Sequence, residues 1–273
     1  MRQIWIIFLA IATLGMLILI RLRSDRIIRQ IWRSLNSPAT NLAFNLAMIA
    51  DLEEPVQRYF LHAIAPETVL ATSVELSMSG SFQLKPTTAW LPMQASEIIS
   101  VAPGFVWQAN IGEKLARFRG ADYFYRGQGR TCFSFWGLLP FMDAQNKQIT
   151  RSSIGRLVAA YIWLPSALLP HNQVTWQAIA NNTIQASLHI ARESTTLTLT
   201  IDSDGKLRKI SLPRWSNQTE DGSWQYLLFE AEVISEETFG GYTIPSVVKA
   251  GWCLEQNNHW SFFRSIIENA KFG

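Results

Sequence analysis

Charge is scarce in this 273-residue chain: 16% of its residues are charged and 48% are hydrophobic. A chain this apolar buries enough surface to offset its ordering entropy, which excludes intrinsic disorder. Cysteine is almost missing. The two present, Cys132 and Cys253, supply neither a disulfide framework nor a four-ligand zinc cluster, and the sequence leaves their pairing open. The four histidines, His62, His171, His189 and His259, fall in unrelated segments with no i, i+4 pair and no acid cluster beside them, so no metal centre is expected. No G-x-S-x-G nucleophile elbow occurs. Gly127 and Gly129 in RGQGR lack the third glycine and the strand-turn-helix setting of a nucleotide loop, and read as a hairpin or bulge. No cofactor motif remains. Glu230 and Glu232 alternate onto one strand face about 7 Å apart, a separation found in inverting glycosidases. Nothing nearby offers the second wall of a sugar cleft, so no catalytic residue is expected and the chain reads as a binding protein rather than an enzyme.

Basic charge is concentrated at one end. The formal net charge is +3, yet residues 1–33 hold six arginines against the single acid Asp25, leaving 18 basic and 20 acidic side chains beyond. The main body therefore has no positive excess to offer phosphates, and nucleic acid is not an expected partner.

What is abundant at the N-terminus is uninterrupted hydrophobicity. Residues 4–20, IWIIFLAIATLGMLILI, are free of charge, and 17 such residues make a helix of about 26 Å, sufficient for a short membrane span. Arg2, Arg21 and Arg23 flank it, with stems able to reach the headgroups. The only A-x-A-like triplet within this run, Ala10-Ile11-Ala12, leaves too short an apolar region for a cleaved signal peptide. An uncleaved single-pass anchor is expected. In residues 21–35, Ile27, Ile28, Ile31, Trp32 and Leu35 share one arc while Arg26, Arg29 and Arg33 lie opposite. This basic amphipathic segment either lies along an anionic bilayer or continues the anchor helix into solvent. The arginine excess on its C-terminal flank predicts a cytoplasmic main domain, with the extracytoplasmic side as the alternative.

Three segments follow from composition and period: 1–35 as anchor and amphipathic helix, 36–50 as connector, and 51–273 as one domain. Asn36-Ser37-Pro38 ends the first helix. Residues 43–64 are helical in pattern, with Pro55 in a first turn opened near Asp51. From Val69 the period changes to two: Val74, Leu76 and Met78 alternate with polar residues, as do Phe105, Trp107, Ala109 and Ile111, then Ile184 to Ile190, Leu197 to Ile201, and Leu227 to Val233. Turns fall at Pro103-Gly104, Asn181-Asn182 and Asp204-Gly205, and one helix interrupts around residues 152–161 before Pro165. The fold class is α+β: a curved, mainly antiparallel sheet, an open half-barrel, with a few packed helices behind a single N-terminal transmembrane helix.

PVQRYF at 55–60, PGFVW at 103–107, ADYFYRGQGR at 121–130, PSALLP at 165–170 and GYTIP at 241–245 together resemble an uncharacterised bacterial family, a domain of unknown function often carrying an N-terminal hydrophobic segment. The resemblance spans roughly residues 52–267 and implies no activity and no catalytic residues. More loosely, the succession of long antiparallel strands with an interrupting helix is similar to the half-barrel of bacterial lipoprotein carriers, which cradle acyl chains.

Aromatic residues make up 12% of the chain. In Tyr123-Phe124-Tyr125 and Phe133-Ser134-Phe135-Trp136 neighbouring rings point to opposite faces of a strand, so either both faces are covered or one lines a cavity or meets lipid. The expected ligand-binding residues are Phe105, Trp107, Tyr123, Tyr125 and Trp136, with Arg119 and Arg126 near a polar head. The expected partners are the bilayer, through residues 4–20 and 21–35, and a lipid-like or other apolar small molecule. A membrane-tethered protein-interaction module without a cavity is the first alternative. A hydrolase with an unrecognised site is the second.

Overall fold

The computed structural model describes residues 1–254 and 258–273. The apolar run and the basic segment after it form one helix, α1 (Arg2–Leu35), about 51 Å long at ~1.5 Å per residue. No proline precedes Pro38, so nothing breaks the helix where its composition changes. Its first half projects free of the rest of the chain, and Ile4, Trp5, Phe8 and Leu9 are all exposed. Its second half docks: Ile28, Ile31 and Leu35 are buried against Ile98, Val106, Ala121 and Tyr123 of the sheet. The arc expected to face lipid or solvent is thus covered by protein. Trp32 Nε1 and Asn36 Nδ2 both donate to Glu75 Oε1, at 3.3 and 2.5 Å, and hold the helix end.

The helix expected over 43–64 shrinks to α2 (Glu54–Ala63), preceded by a single 3-10 turn at Leu46–Met48. Pro55 explains the difference: it lies in the first turn, after the extended N-cap Glu53, where a proline is tolerated, whereas in a helix running through from residue 43 it would remove a backbone hydrogen bond and clash with the preceding turn. Upstream, Ala43 bridges Val69 instead.

The strands follow the period-two pattern. Outbound are β1 (Ser73–Phe82), β2 (Leu91–Ser100), β3 (Gly104–Ile111), β4 (Phe118–Tyr125), β5 (Gln128–Phe135) and β6 (Leu139–Ala144). Returning are β7 (Thr175–Ala180), β8 (Thr183–Ile190), β9 (Glu193–Ile201), β10 (Leu207–Ser216), β11 (Gln225–Phe239), β12 (Tyr242–Leu254) and β13 (Asn258–Phe272). All pair antiparallel in one curved open sheet, ordered β6-β5-β4-β3-β2-β1-β13-β12-β11-β10-β9-β8-β7. The chain therefore runs outward to one edge, crosses to the far edge, and returns until β13 meets β1. The crossing is α3 (Lys147–Ala160), capped by the Asn146 side chain accepting from Ile149 N–H, with 3-10 turns through Asn172. α3 packs on β4 and β5 from one arm and on β9 and β10 from the other, so it lies inside the curve. Gly129 on β5 permits its approach: a Cβ there would come within 2.8 Å of Thr150 Cα.

The motif residues mostly close this architecture. α2 carries PVQRYF, and Tyr59 and Phe60 pack on Trp176. Tyr242 of GYTIP is buried, accepts from Ala71 N–H at 2.8 Å, donates to the Val69 carbonyl at 3.0 Å, and stacks on Phe272. Ser166 of PSALLP donates to the Ala71 carbonyl at 2.7 Å.

Candidate functional site

Directly opposed residues of an antiparallel ladder share a face. Trp107 opposes Glu97 on one side and Asp122 on the other, so β2, β3 and β4 place an acid, an indole and an acid in one row on the inner face. Arg156 comes down on that row from α3. Its guanidinium lies over the Phe105 and Trp107 rings, at 5.1 and 4.8 Å from their centroids, and pairs with Glu97 at 3.5 Å and Asp122 at 3.3 Å. Thr131 donates to the Asp122 carboxylate at 3.0 Å.

The opposite arm repeats the arrangement without the acids. Arg214 of β10 is only 9% exposed and sits over Phe229 and Trp252, 4.4 and 5.0 Å from their centroids. Gly155 makes room for it on α3, since a Cβ there would lie 3.0 Å from Arg214 Cγ. Between the two arginines runs a cleft under α3, walled by Phe82, Trp163, Ile210, Phe262 and Phe263 and holding about 70 Å³ of free volume. That is well below the ~300 Å³ at which ligand pockets usually begin.

Burial governs the electrostatics. Desolvation pushes the Glu97 carboxyl up to about 7 in spite of the attraction and hydrogen bond of Arg156. Desolvation, with the charge of Arg156 added, pushes the Arg214 guanidinium down to about 9. Three buried N–H donors around the cleft, Arg156 Nε, Arg214 Nε and Trp107 Nε1, have no acceptor among the described residues. The site has unmatched donors on both arginines and on Trp107, while both of its acids lie on the Arg156 side.

Of the seven expected ligand residues, Phe105 and Trp107 lie on this inner face, under Arg156. Tyr123 and Tyr125 do not. Phe105 opposes Phe124, which puts Tyr123 and Tyr125 on the outer face, packed with α1. Arg119 lies on the outer face too, in a groove beside Arg21 and Ser24. Arg126 occupies the β4–β5 turn with its guanidinium over the Tyr125 ring. Trp136, half exposed, sits in the β5–β6 turn and not in the cleft. The two cations that enter the cleft are instead Arg156 and Arg214, and the acids are Glu97 and Asp122. A signal for them exists in the chain: Glu97 and Arg214 interrupt the apolar phase of their strands, beside Met93 and Ala95 in one and Ile210 and Leu212 in the other.

Elsewhere, Glu230, Cys253 and His259 have ligand atoms within 4.8 Å of one another on the outer face. Lys209 already pairs with Glu230, and burial together with Glu230 pushes the Cys253 thiol up to about 11, leaving it protonated. Cys132 and Cys253 are both free. The Arg126-Gly127 turn, both residues at positive φ, carries the hairpin read from RGQGR.

No match was found among curated proteins. Solved structures with related folds include a LolA-superfamily protein from Nitrosomonas europaea (TM-score 0.44, 9% identity, covering 80% of this chain and 92% of that one). A putative outer membrane lipoprotein-sorting protein domain from Vibrio parahaemolyticus (0.43, 7%, 73% and 85%) and a DUF1329 protein from Desulfovibrio piger (0.43, 6%, 74% and 86%) are also similar. At these scores the likenesses carry no inference about ligand or location. The five motifs are a stronger guide, and the resemblance they carry holds: the model of a family of unknown function, DUF6920, matches residues 50–272, and the chain belongs to that family.

Proposed function

We propose that the protein is a membrane-anchored, non-catalytic binding protein that holds an apolar or amphiphilic ligand in the cleft between α3 and the inner face of its sheet. The observation that carries this reading is the pairing of an aromatic and aliphatic wall with two guanidiniums in one cleft, the composition of a site for a molecule with an apolar body and a polar end. With about 70 Å³ free, the cleft takes an acyl chain only when α3 lifts from the sheet. The buried charged groups beneath α3 lower the cost of that movement, because they regain hydration as it opens.

Anchoring has two supports. Most of residues 4–20 of α1 stand clear of the domain, only Leu17 and Ile20 bordering the β5–β6 hairpin, and α1 is long and apolar enough to cross a bilayer. The β5–β6 hairpin supplies the second: the Arg21 guanidinium lies against Gly137, so Phe135, Trp136, Leu139 and Phe141, all exposed, stand level with the end of the apolar run. Aromatic and aliphatic side chains at that height suit a bilayer interface. The arginine excess on the C-terminal flank of the apolar run supports a cytoplasmic domain, with the extracytoplasmic side as the alternative; a reporter fused after Gly273 and active only outside the cytoplasm overturns that half of the reading.

The binding test is organic extraction and mass spectrometry of full-length protein purified in a non-ionic amphipol. An amphiphile should co-extract near equimolar amounts and be lost from Ala160→Leu, which fills the cleft. Equal extraction from both forms, or an empty wild type indifferent to added fatty acids and phospholipids, refutes the reading and favours a tethered protein-interaction module.

A further inference from the structure

We infer that the ligand carries an anionic head, a carboxylate or a phosphate ester, bound by the Arg214 guanidinium with Arg156 as the second cation. The inference rests on the binding function proposed above and specifies its ligand. Arg156 is neutralised by Glu97 and Asp122, whereas Arg214 has no carboxylate within ion-pair distance among the described residues. A guanidinium only 9% exposed, with its Nε–H unpaired and the faces of Phe229 and Trp252 beneath it, is a costly feature, since burial of an unpaired charge is offset only in part by cation–π contact. Gly155 nonetheless gives way to the Arg214 stem. The unmatched donors around the cleft all require acceptors, and an anion with several oxygens is the group that satisfies more than one guanidinium N–H at once. The remaining walls, Phe82, Ile210, Phe262 and Phe263, offer nothing polar, so the anion must bear an apolar body. Charge counting sets the condition: with both acids ionised the two arginines are matched in number though not in position, both acids pairing with Arg156, and with Glu97 protonated one positive charge is left for the ligand.

The experiment is calorimetric titration of the full chain, in a non-ionic amphipol at pH 7.5, with four ten-carbon probes below their micelle-forming concentrations. These are decanoate, decyl phosphate, decanol and decyltrimethylammonium. At least one of the two anions should bind tenfold or more tightly than decanol, about 1.4 kcal/mol, and decyltrimethylammonium should bind weakest. Whichever anion binds tighter assigns the head as carboxylate or phosphate. Arg214→Met should abolish the preference, bringing the anions to the affinity that the same variant shows for decanol. If that variant does not fold, Arg214→Lys keeps the charge without the fork and should lose much of the preference, and the wild-type series decides alone. Decanol binding as tightly as both anions, or a preference for decyltrimethylammonium, overturns the anionic head and leaves the binding function standing. Binding of none of the four probes overturns both.

Discussion

Replacing Glu97 by Gln should remove a pH dependence from the stability of the fold. Glu97 is 1% exposed, faces Arg156 from α3, has Asp122 beyond Trp107 on β4, and shares the cleft with Arg214 of β10. Its carboxyl is raised from an ordinary 4.5 to about 7, chiefly by burial. Between these values the native chain holds a proton that the unfolded chain has released, so stability falls as pH rises through the window. The displacement corresponds to about 3 kcal/mol at ~1.36 kcal/mol per pH unit, present in full below about 4.5 and lost above about 7. The other shifted group here, Arg214, sits near 9 and does not titrate in this range. Urea unfolding of the full chain in amphipol, followed by tryptophan fluorescence from pH 4.5 to 7.5, measures the difference between wild type and Glu97→Gln. The wild type should lose about 3 kcal/mol relative to the variant as pH rises across this range. A constant difference, or one of opposite slope, refutes the claim that burial outweighs the Arg156 ion pair.

Tyr242→Phe deletes the hydroxyl that links Ala71 N–H to the Val69 carbonyl, and should cost about 1–3 kcal/mol in the same unfolding assay. Gly129→Ala puts a Cβ against the backbone of α3 at Thr150 and should destabilise the chain by about 1–3 kcal/mol through overpacking; a neutral result contradicts the close approach of α3 to β5. In nanodiscs, lipids brominated near the headgroup should quench wild-type fluorescence more than that of Trp136→Phe, and equal quenching removes Trp136 from the interface.

The sheet is legible in the sequence because its strands alternate and its turns are marked by Pro103-Gly104, Asn181-Asn182 and Asp204-Gly205. The apolar helix is legible from its uninterrupted run. What the period does not reveal is which phase faces inward when both phases are apolar. Tyr123 and Tyr125 look as well suited to a ligand as Phe124, and only the pairing of Phe105 with Phe124 separates them. The same ambiguity hides the role of residues 21–35, whose apolar arc is equally suited to lipid and to Val106. Arg156 and Arg214 stand far from Glu97 and Asp122 in sequence, and topology alone brings α3 and β10 over the same floor. Yet an acid and an arginine on the apolar phases of β2 and β10 are a visible irregularity. A charge on an inward phase is the sequence signature of this site.

Among the described residues Trp163 is the tryptophan that directly lines the cleft, with Trp107 and Trp252 beneath the two arginines; its Nε1 donates to the Pro245 carbonyl at 3.0 Å, and it gives the most direct test of ligand placement. Titration of the full chain with decanoate brominated at its terminal carbon should quench part of the wild-type tryptophan emission saturably. In Trp163→Phe that part should be reduced, the remainder coming from Trp107 and Trp252 beneath the arginines, while the affinity, read by calorimetry, stays within a few-fold. Saturable quenching that is identical in wild type and Trp163→Phe would place the chain outside the cleft and contradict the account.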